Sequence, residues 1–348
     1  MNRIKFKILF LLIVPLFIFC NKEIKPRKVV NIEFKEFKID SSSIRAIEIL
    51  NDTTVLFAGS KGDVGAITDS KITKLSNNLI TDGITPHFRA LSYTKNSVYA
   101  LSIGNPALLY QFKKKTPKIV YKEIHENVFY DSMKFFDDLN GIAIGDPIDN
   151  CLSILITKDG GNSWKKTPCE NLPQIEKGEA AFAASNTNIA IIGRNAWIVT
   201  GGKKARVLHT ANMGISWKMY ETPVIQGKET TGIYTVDFYN ENIGIICGGD
   251  YTNKFGNSAN KAITKDGGKT WKLVAENEAP KYVSCVQYVP NSDGKEIFAV
   301  STNGIFFSNN GGEKWIKVHE KGFFSIRIVD ENNAWLSGNE IIAKMKIN

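Results

Sequence analysis

A nine-residue phrase recurs in this chain. Residues 156–164 read ITKDGGNSW and residues 263–271 read ITKDGGKTW, while 209–217 (HTANMGISW) and 307–315 (FSNNGGEKW) are weaker copies. The tryptophans that end them, Trp164, Trp217, Trp271 and Trp315, stand 53, 54 and 44 residues apart. A period of that order marks stacked or radially arranged units, each too small to bury its own apolar face.

The phrase has a physical reading. Asp or Asn followed by Gly is a strong signal for a tight connection between antiparallel strands, because Gly takes positive φ without steric cost. The side chains of Asp159, Asn212, Asp266 and Asn310 can accept hydrogen bonds from amides of their own turns and hold them shut. The Trp then opens the return strand and offers a large apolar face to a neighbouring unit. Nothing in the phrase needs a substrate, so its expected role is structural.

Turns of the form S-x-D-x-G-x-x-W resemble the Asp-box, or BNR, repeats of sialidase-type β-propellers. The closer likeness is to the photosystem II stability/assembly factor-like propellers, whose repeats read T-x-D-G-G-x-T-W. The resemblance covers nearly all of the chain after its first segment. It implies a fold more than an activity, since such turns occur in enzymes, binders and assembly factors alike.

The first segment is of another kind. Arg3, Lys5 and Lys7 precede an apolar run over 8–19, interrupted only by Pro15 and ended by Cys20. Twelve residues are too few to span a bilayer and suit the core of a signal peptide. No small-residue cleavage site follows, and the run ending at Cys resembles a bacterial lipoprotein signal in which Cys20 is lipidated. Residues 1–20 are therefore expected to be the signal, 21–29 (NKEIKPRKV) a basic tether, and 30–348 one domain. The expected location is the bacterial cell envelope, periplasmic or at the cell surface, with a lipid anchor in the membrane. The formal charge is +9, three of it from the signal. A basic tether beside a lipid accounts for such a balance, and no nucleic-acid-binding signature accompanies it.

Beyond residue 30 the periodicity is that of strands. Residues 31–39 (NIEFKEFKI) alternate apolar and polar with one slip near Glu36. Seven short apolar runs follow, at 55–59, 98–102, 141–145, 196–200, 244–248, 297–301 and 334–338. Each has the composition of a strand buried on both faces. The expectation is an all-β chain: a seven-bladed β-propeller of four-stranded antiparallel blades near 43–76, 87–124, 131–168, 179–223, 231–277, 282–320 and 322–348. The last unit lacks a fourth strand, which residues 31–39 would supply, closing the ring and hiding its free edges.

Cys151 and Cys169 fall roughly opposite each other across the hairpin that holds Asp159, so a disulfide or two free thiols are both open. Cys247 and Cys285 lie in apolar strands and are expected to pack as small hydrophobes. There is no CxxC or HExxH, and the four histidines are scattered; neither a metal nor a cofactor is expected.

In propellers the loops before each first strand share a face with the loops joining second and third strands. That face is expected to carry Arg45, Arg89, Asp131, Glu179 and Tyr234 at the starts of first strands. Asp146 and Asp250 open two long loops over 146–150 and 250–260 on the same side, where binding residues concentrate. A plainer reading pairs Arg45 and Arg89 with Asp131 or Glu179 as structural ion pairs. Two functions fit. The favoured one is a non-catalytic, monomeric envelope lipoprotein that binds another protein during assembly or maintenance of a membrane complex, its arginines gripping a carboxylate. The alternative is a sialidase-like glycoside hydrolase or glycan binder. The Arg-Ile-Pro that precedes the first Asp-box in that family is absent, since Ala46 follows Arg45 and Ala90 follows Arg89.

Overall fold

The computed structural model describes residues 26–348 apart from 77, 114 and 115. Cys20 and the signal lie outside the described residues. The chain is built from antiparallel sheets whose basic unit is four strands in sequence order, inner to outer. One unit comprises Phe88–Thr94, Ser97–Ser102, Ala107–Lys113 and Thr116–Glu123; the next comprises Tyr130–Phe135, Gly141–Ile148, Cys151–Thr157 and Lys165–Lys166. Further on come Ile189–Ile192 to Lys218–Glu221, Thr231–Phe238 to Lys272–Leu273, and Cys285–Tyr288 to Ile316–His319. Second strands such as Thr54–Gly59 and Ile297–Ser301 are buried along their whole length, because sheets cover them on both faces.

The long strand Ile32–Asn51 joins the two ends of the chain. Its first half pairs with the C-terminal strand Asn339–Ile347, from Ile32 opposite Ile347 to Lys38 opposite Ile341, and its second half pairs with Thr54–Gly59. The expected slip near Glu36 is not a bulge, for the register there is unbroken. Successive side chains of a strand alternate faces, so Phe34 and Phe37 turn opposite ways. Phe34 lies against His319 and Phe323, and Phe37 against Trp335. Before this strand, Arg27 holds Glu296 through Nε to Oε2 (2.9 Å) and its own amide to Oε1 (2.6 Å).

Apolar clusters fill the spaces between successive units, such as Tyr99 and Leu101 with Tyr130 and Met133. The Asp-box turns clamp these layers. Asp266 accepts from Thr264 Oγ1 (2.8 Å), the Thr270 amide (2.9 Å) and Thr270 Oγ1 (2.7 Å), while Thr264 Oγ1 accepts from the Gly268 amide (2.9 Å). Asp159, Asn212 and Asn310 make the same inner contacts in their own turns. Met213 stands where the other copies have Gly and still takes φ 58°. An aromatic of the preceding unit donates to the turn: Tyr99 Oη to the Gly160 carbonyl, and Trp197 Nε1 to Gly267 at 2.8 Å. Each Asp-box tryptophan also packs towards that preceding unit, Trp164 in a cluster with Tyr99 and Leu101 and Trp271 in one with Trp197 and Val199, while Phe135 and Phe238 of their own units meet them edge-on.

Two boundaries differ from the sequence reading. The unit expected at 179–223 has its first strand at Ile189–Ile192, whereas Glu179–Ala180 is a separate short strand pairing with Gly201–Gly202. The loop expected at 146–150 is mostly strand, since Gly141–Ile148 runs through Asp146 with a bulge between Gly145 and Pro147. Cys151 and Cys169 are disulfide-bonded, with Cα atoms 5.7 Å apart, and Cys247 and Cys285 are buried free thiols.

Candidate functional site

The first strands converge on a segment that belongs to no sheet. Residues 183–188 run through the middle of the molecule and are buried along their length. The Asn186 side chain donates to the Leu91 carbonyl and Glu48 Oε1 (both 2.8 Å) and accepts from Ser132 Oγ (3.1 Å) and the Met133 amide (3.0 Å). Ser185 donates to the Ser284 carbonyl (2.6 Å), and its own carbonyl accepts from Ser325 and Arg327. Thr187 reaches Thr235 Oγ1 (2.8 Å). Small side chains make this possible: Ala, Ser, Asn and Thr expose their backbone to partners on every side. The positive φ of Asn186 (59°) is one that Asn tolerates better than most residues.

On this segment rests a cavity of about 710 Å³. Five sequence-predicted residues line it: Arg45, Arg89, Asp131, Asp146 and Tyr234. Arg45 Nη1 donates to the Ala184 carbonyl (2.9 Å), and its guanidinium carbon lies 4.1 Å from the centre of the Phe324 ring. Arg89 Nη1 donates to the Ala183 carbonyl (3.1 Å) and its Nε to His87 Nε2 (3.5 Å). Among the described residues neither arginine makes an ion pair within 4 Å, so the plainer structural pairing does not form. Burial and then the neighbouring Arg45 lower the Arg89 pKa to about 10, and burial lowers that of Arg45. Both remain cations near neutral pH. Burial, with Arg89, Arg45 and Lys61 nearby, holds His87 down to about 4, so its ring is neutral at pH 7, and as the Nδ1–H tautomer it accepts from Arg89 at Nε2.

The acids lie one unit further round. Asp131 is fully buried, and neither carboxyl oxygen has a hydrogen-bond partner among the described residues. Burial and then Asp146 push its pKa well up, against smaller pulls from Arg89 and the Ala183 amide. Asp146 accepts from the Ala181 amide (2.9 Å) and is raised by burial to about 6. Aromatics form the remaining wall: Phe182 stacks on Tyr234 at 4.3 Å, and Tyr251 and Tyr282 meet the Tyr234 ring edge-on. The Tyr234 hydroxyl donates to the Thr230 carbonyl (2.6 Å), and burial raises its pKa. A tyrosine held in this way is poorly placed to act as a nucleophile.

Glu179 and Asp250 do not line this cavity. Glu179 is buried beneath Ala180 and bound to Arg206 (Nε to Oε1, 3.2 Å) and Thr200 Oγ1 (2.6 Å). Asp250 caps its own turn, accepting from the Thr252 amide (2.9 Å) and hydroxyl (2.6 Å). Its neighbours Tyr251 and Lys254 line the cavity instead. Sequence reasoning missed Phe182, Tyr282, Phe324 and the 183–188 segment. Tyr282 carried a usable signal, for it lies just ahead of the first strand Cys285–Tyr288. Among the described residues no group of three His, Cys, Asp or Glu is placed to hold a metal ion.

A family model described as Photosynthesis system II assembly factor YCF48 matches residues 113–321, more than half of the chain. No curated protein matches the sequence. Solved propellers resemble the fold at low identity. A structure described as YCF48 bound to D1 peptide superposes with a TM-score of 0.63 at 11% identity, covering 89% of this chain and 96% of that one. The WD40 repeats of RRP9 give 0.62 at 10% identity over 91% and 98%. Virginiamycin B lyase from Staphylococcus aureus gives 0.59 at 13% over 91% and 99%. Such identities speak for fold alone.

Proposed function

The chain belongs to the family described as Photosynthesis system II assembly factor YCF48, and from that membership we propose that it is a protein-binding assembly factor of the cell envelope. The observation that carries the reading is the pair of guanidiniums, Arg45 and Arg89, in a roomy cavity where, among the described residues, no carboxylate lies within ion-pair distance of either. Charges left so in a half-buried site are suited to a carboxylate brought by a partner, a peptide C-terminus or an acidic side chain. The fold-related YCF48 structure holds a peptide, which supports the same ligand class here. Neither the membership nor the cavity implies a photosystem in the host.

The proposal includes a seven-bladed ring with its N-terminal strand as closure. Support comes from the order of neighbours: Ile32–Asn51, Phe88–Thr94, Tyr130–Phe135, Ile189–Ile192, Thr231–Phe238, Cys285–Tyr288 and Ser325–Ile328 contact one another in turn, and the last contacts the first. It also includes a lipid on Cys20 that holds a monomer to the membrane. That part rests on the apolar run ending at Cys20. Cys20→Ser in the natural host is expected to move the protein from the membrane to the soluble fraction or leave it unprocessed. A membrane-bound, normally processed Cys20→Ser protein refutes the anchor.

The binding reading is tested with a peptide array of envelope-protein C-termini, followed by anisotropy on the peptides retained. Hydrogen bonds to charged groups contribute about 1.5–3 kcal/mol each, so Arg45→Ala/Arg89→Ala is expected to weaken binding by about a hundredfold or more. Thermal melts accompany the measurement, because both arginines also hold carbonyls of the central segment. Unchanged affinity in a folded double variant rules the site out.

A further inference from the structure

The cavity holds opposite charges in sequence around its wall. Arg45 and Arg89 stand on the first strands of two adjacent units, and Asp131 and Asp146 on the first two strands of the next. The arginines already have backbone acceptors in Ala184 and Ala183. Asp131 is less well provided: it is fully buried, it lines the cavity, and neither oxygen receives a hydrogen bond of good geometry among the described residues, only weaker pulls from the Arg89 charge and the Ala183 amide. Leaving a buried acceptor unsatisfied costs about 1–3 kcal/mol, more when it is charged. No metal cluster forms among the described residues, and the Arg89 guanidinium, the nearest cation, is turned to Ala183 and His87.

We propose that Asp131 and Asp146 form a second subsite of this cavity, one that takes a basic group of the same ligand whose carboxylate is held by Arg45 and Arg89. The inference rests on the peptide-binding reading above and narrows it. The ligand is a C-terminal segment carrying a lysine or arginine at its last or next-to-last position. A primary ammonium supplies the donors that the carboxyl oxygens of Asp131 lack. The aromatic wall suits the same guest, for the rings of Phe182, Tyr234, Tyr251 and Tyr282 can cover an alkyl stem and favour the cation over their faces. Burial raises both acids, Asp131 well up and Asp146 to about 6, and an arriving cation favours their ionised form.

The experiment uses hexapeptides of sequence Gly-Ser-Gly-Ala-Tyr-X, with X either lysine or its uncharged near-isostere norleucine, each as free acid and as C-terminal amide. Wild-type protein is expected to bind the lysine free acid at least tenfold more tightly than the norleucine free acid. In Asp131→Asn, and separately in Asp146→Asn, that ratio is expected to fall to about one. Should Asp131→Asn fail to fold, Asp146→Asn carries the test. Free acids that bind better than amides but show no preference for lysine overturn this subsite and leave the carboxylate reading standing. Binding that is indifferent both to amidation and to lysine overturns the two together.

Discussion

Replacing Glu48 by alanine is expected to lower the free energy of unfolding by about 3–5 kcal/mol, the usual cost of removing one partner from a buried ion pair. Glu48 Oε1 is the meeting point of three distant parts of the chain: Lys134 Nζ (3.1 Å), Arg327 Nη2 (3.1 Å) and Asn186 Nδ2 (2.8 Å). Arg327 makes this contact decisive, because its side chain is only 3% exposed. Without Glu48 its hydrogen bonds would go to the carbonyls of Ile326, Ser185 and Asn186 and to the Cys285 sulfur, with Asp237 the remaining carboxylate nearby. Glu48→Gln keeps shape and an acceptor for Asn186 but not the charge, so it is expected to cost less than alanine.

The pH dependence of this contact follows from its sign. Burial pushes the Glu48 pKa up, but Lys134 and Arg327 together outweigh burial and leave it below the ordinary glutamate value. A depressed carboxyl contributes stability that is full above the unfolded-state pKa, about 4.3 for glutamate, and lost as pH falls through the folded-state value. Urea unfolding should therefore separate wild type from Glu48→Gln widely at pH 7 and more narrowly near pH 3. A loss below about 1 kcal/mol for Glu48→Ala at pH 7 would mean that Arg327 finds other compensation.

The same centre shows where sequence reading stops. Repeated turns and doubly buried strands are local patterns with a period, and they announced the sheets and most unit boundaries. Arg45, Arg89, Asp131 and Tyr234 were legible as a group because each sits at an equivalent place in its first strand. Glu179 was assigned by the same extrapolation and fails it, since its unit begins ten residues later, at Ile189, and the residues between form the central segment. That segment has no periodicity to read. Its partners are first strands scattered over nearly 300 residues, with Arg45 and Arg327 among them, and its small polar side chains resemble those of any surface loop. Asp250 was singled out for its loop, but an Asp followed two residues later by Thr caps its own turn, so the ring of Tyr251 faces the cavity in its place.

Trp197→Ala is expected to cost about 3–5 kcal/mol, the range for emptying a buried aromatic site, and the comparison with milder variants identifies what the residue does. Trp197 is 1% exposed and lies between two rings, Phe238 at 3.7 Å and His209 at 5.1 Å between centroids. Its Nε1 also donates to Gly267 (2.8 Å), in the Asp-box turn of the following unit. Trp197→Phe keeps much of the stacking and orphans that carbonyl, so an added loss of about 1–3 kcal/mol is expected from the missing donor. Trp335 supplies the control. It is fully buried on the equivalent strand of another unit, but its Nε1 has no hydrogen-bond partner among the described residues. Trp335→Phe removes similar volume without orphaning an acceptor, and chemical denaturation should find it the milder change. Equal losses for the two Phe variants would show that packing alone joins successive units. A larger loss at Trp197 would show that the repeated turn is kept partly because it presents a carbonyl for the preceding unit to hold.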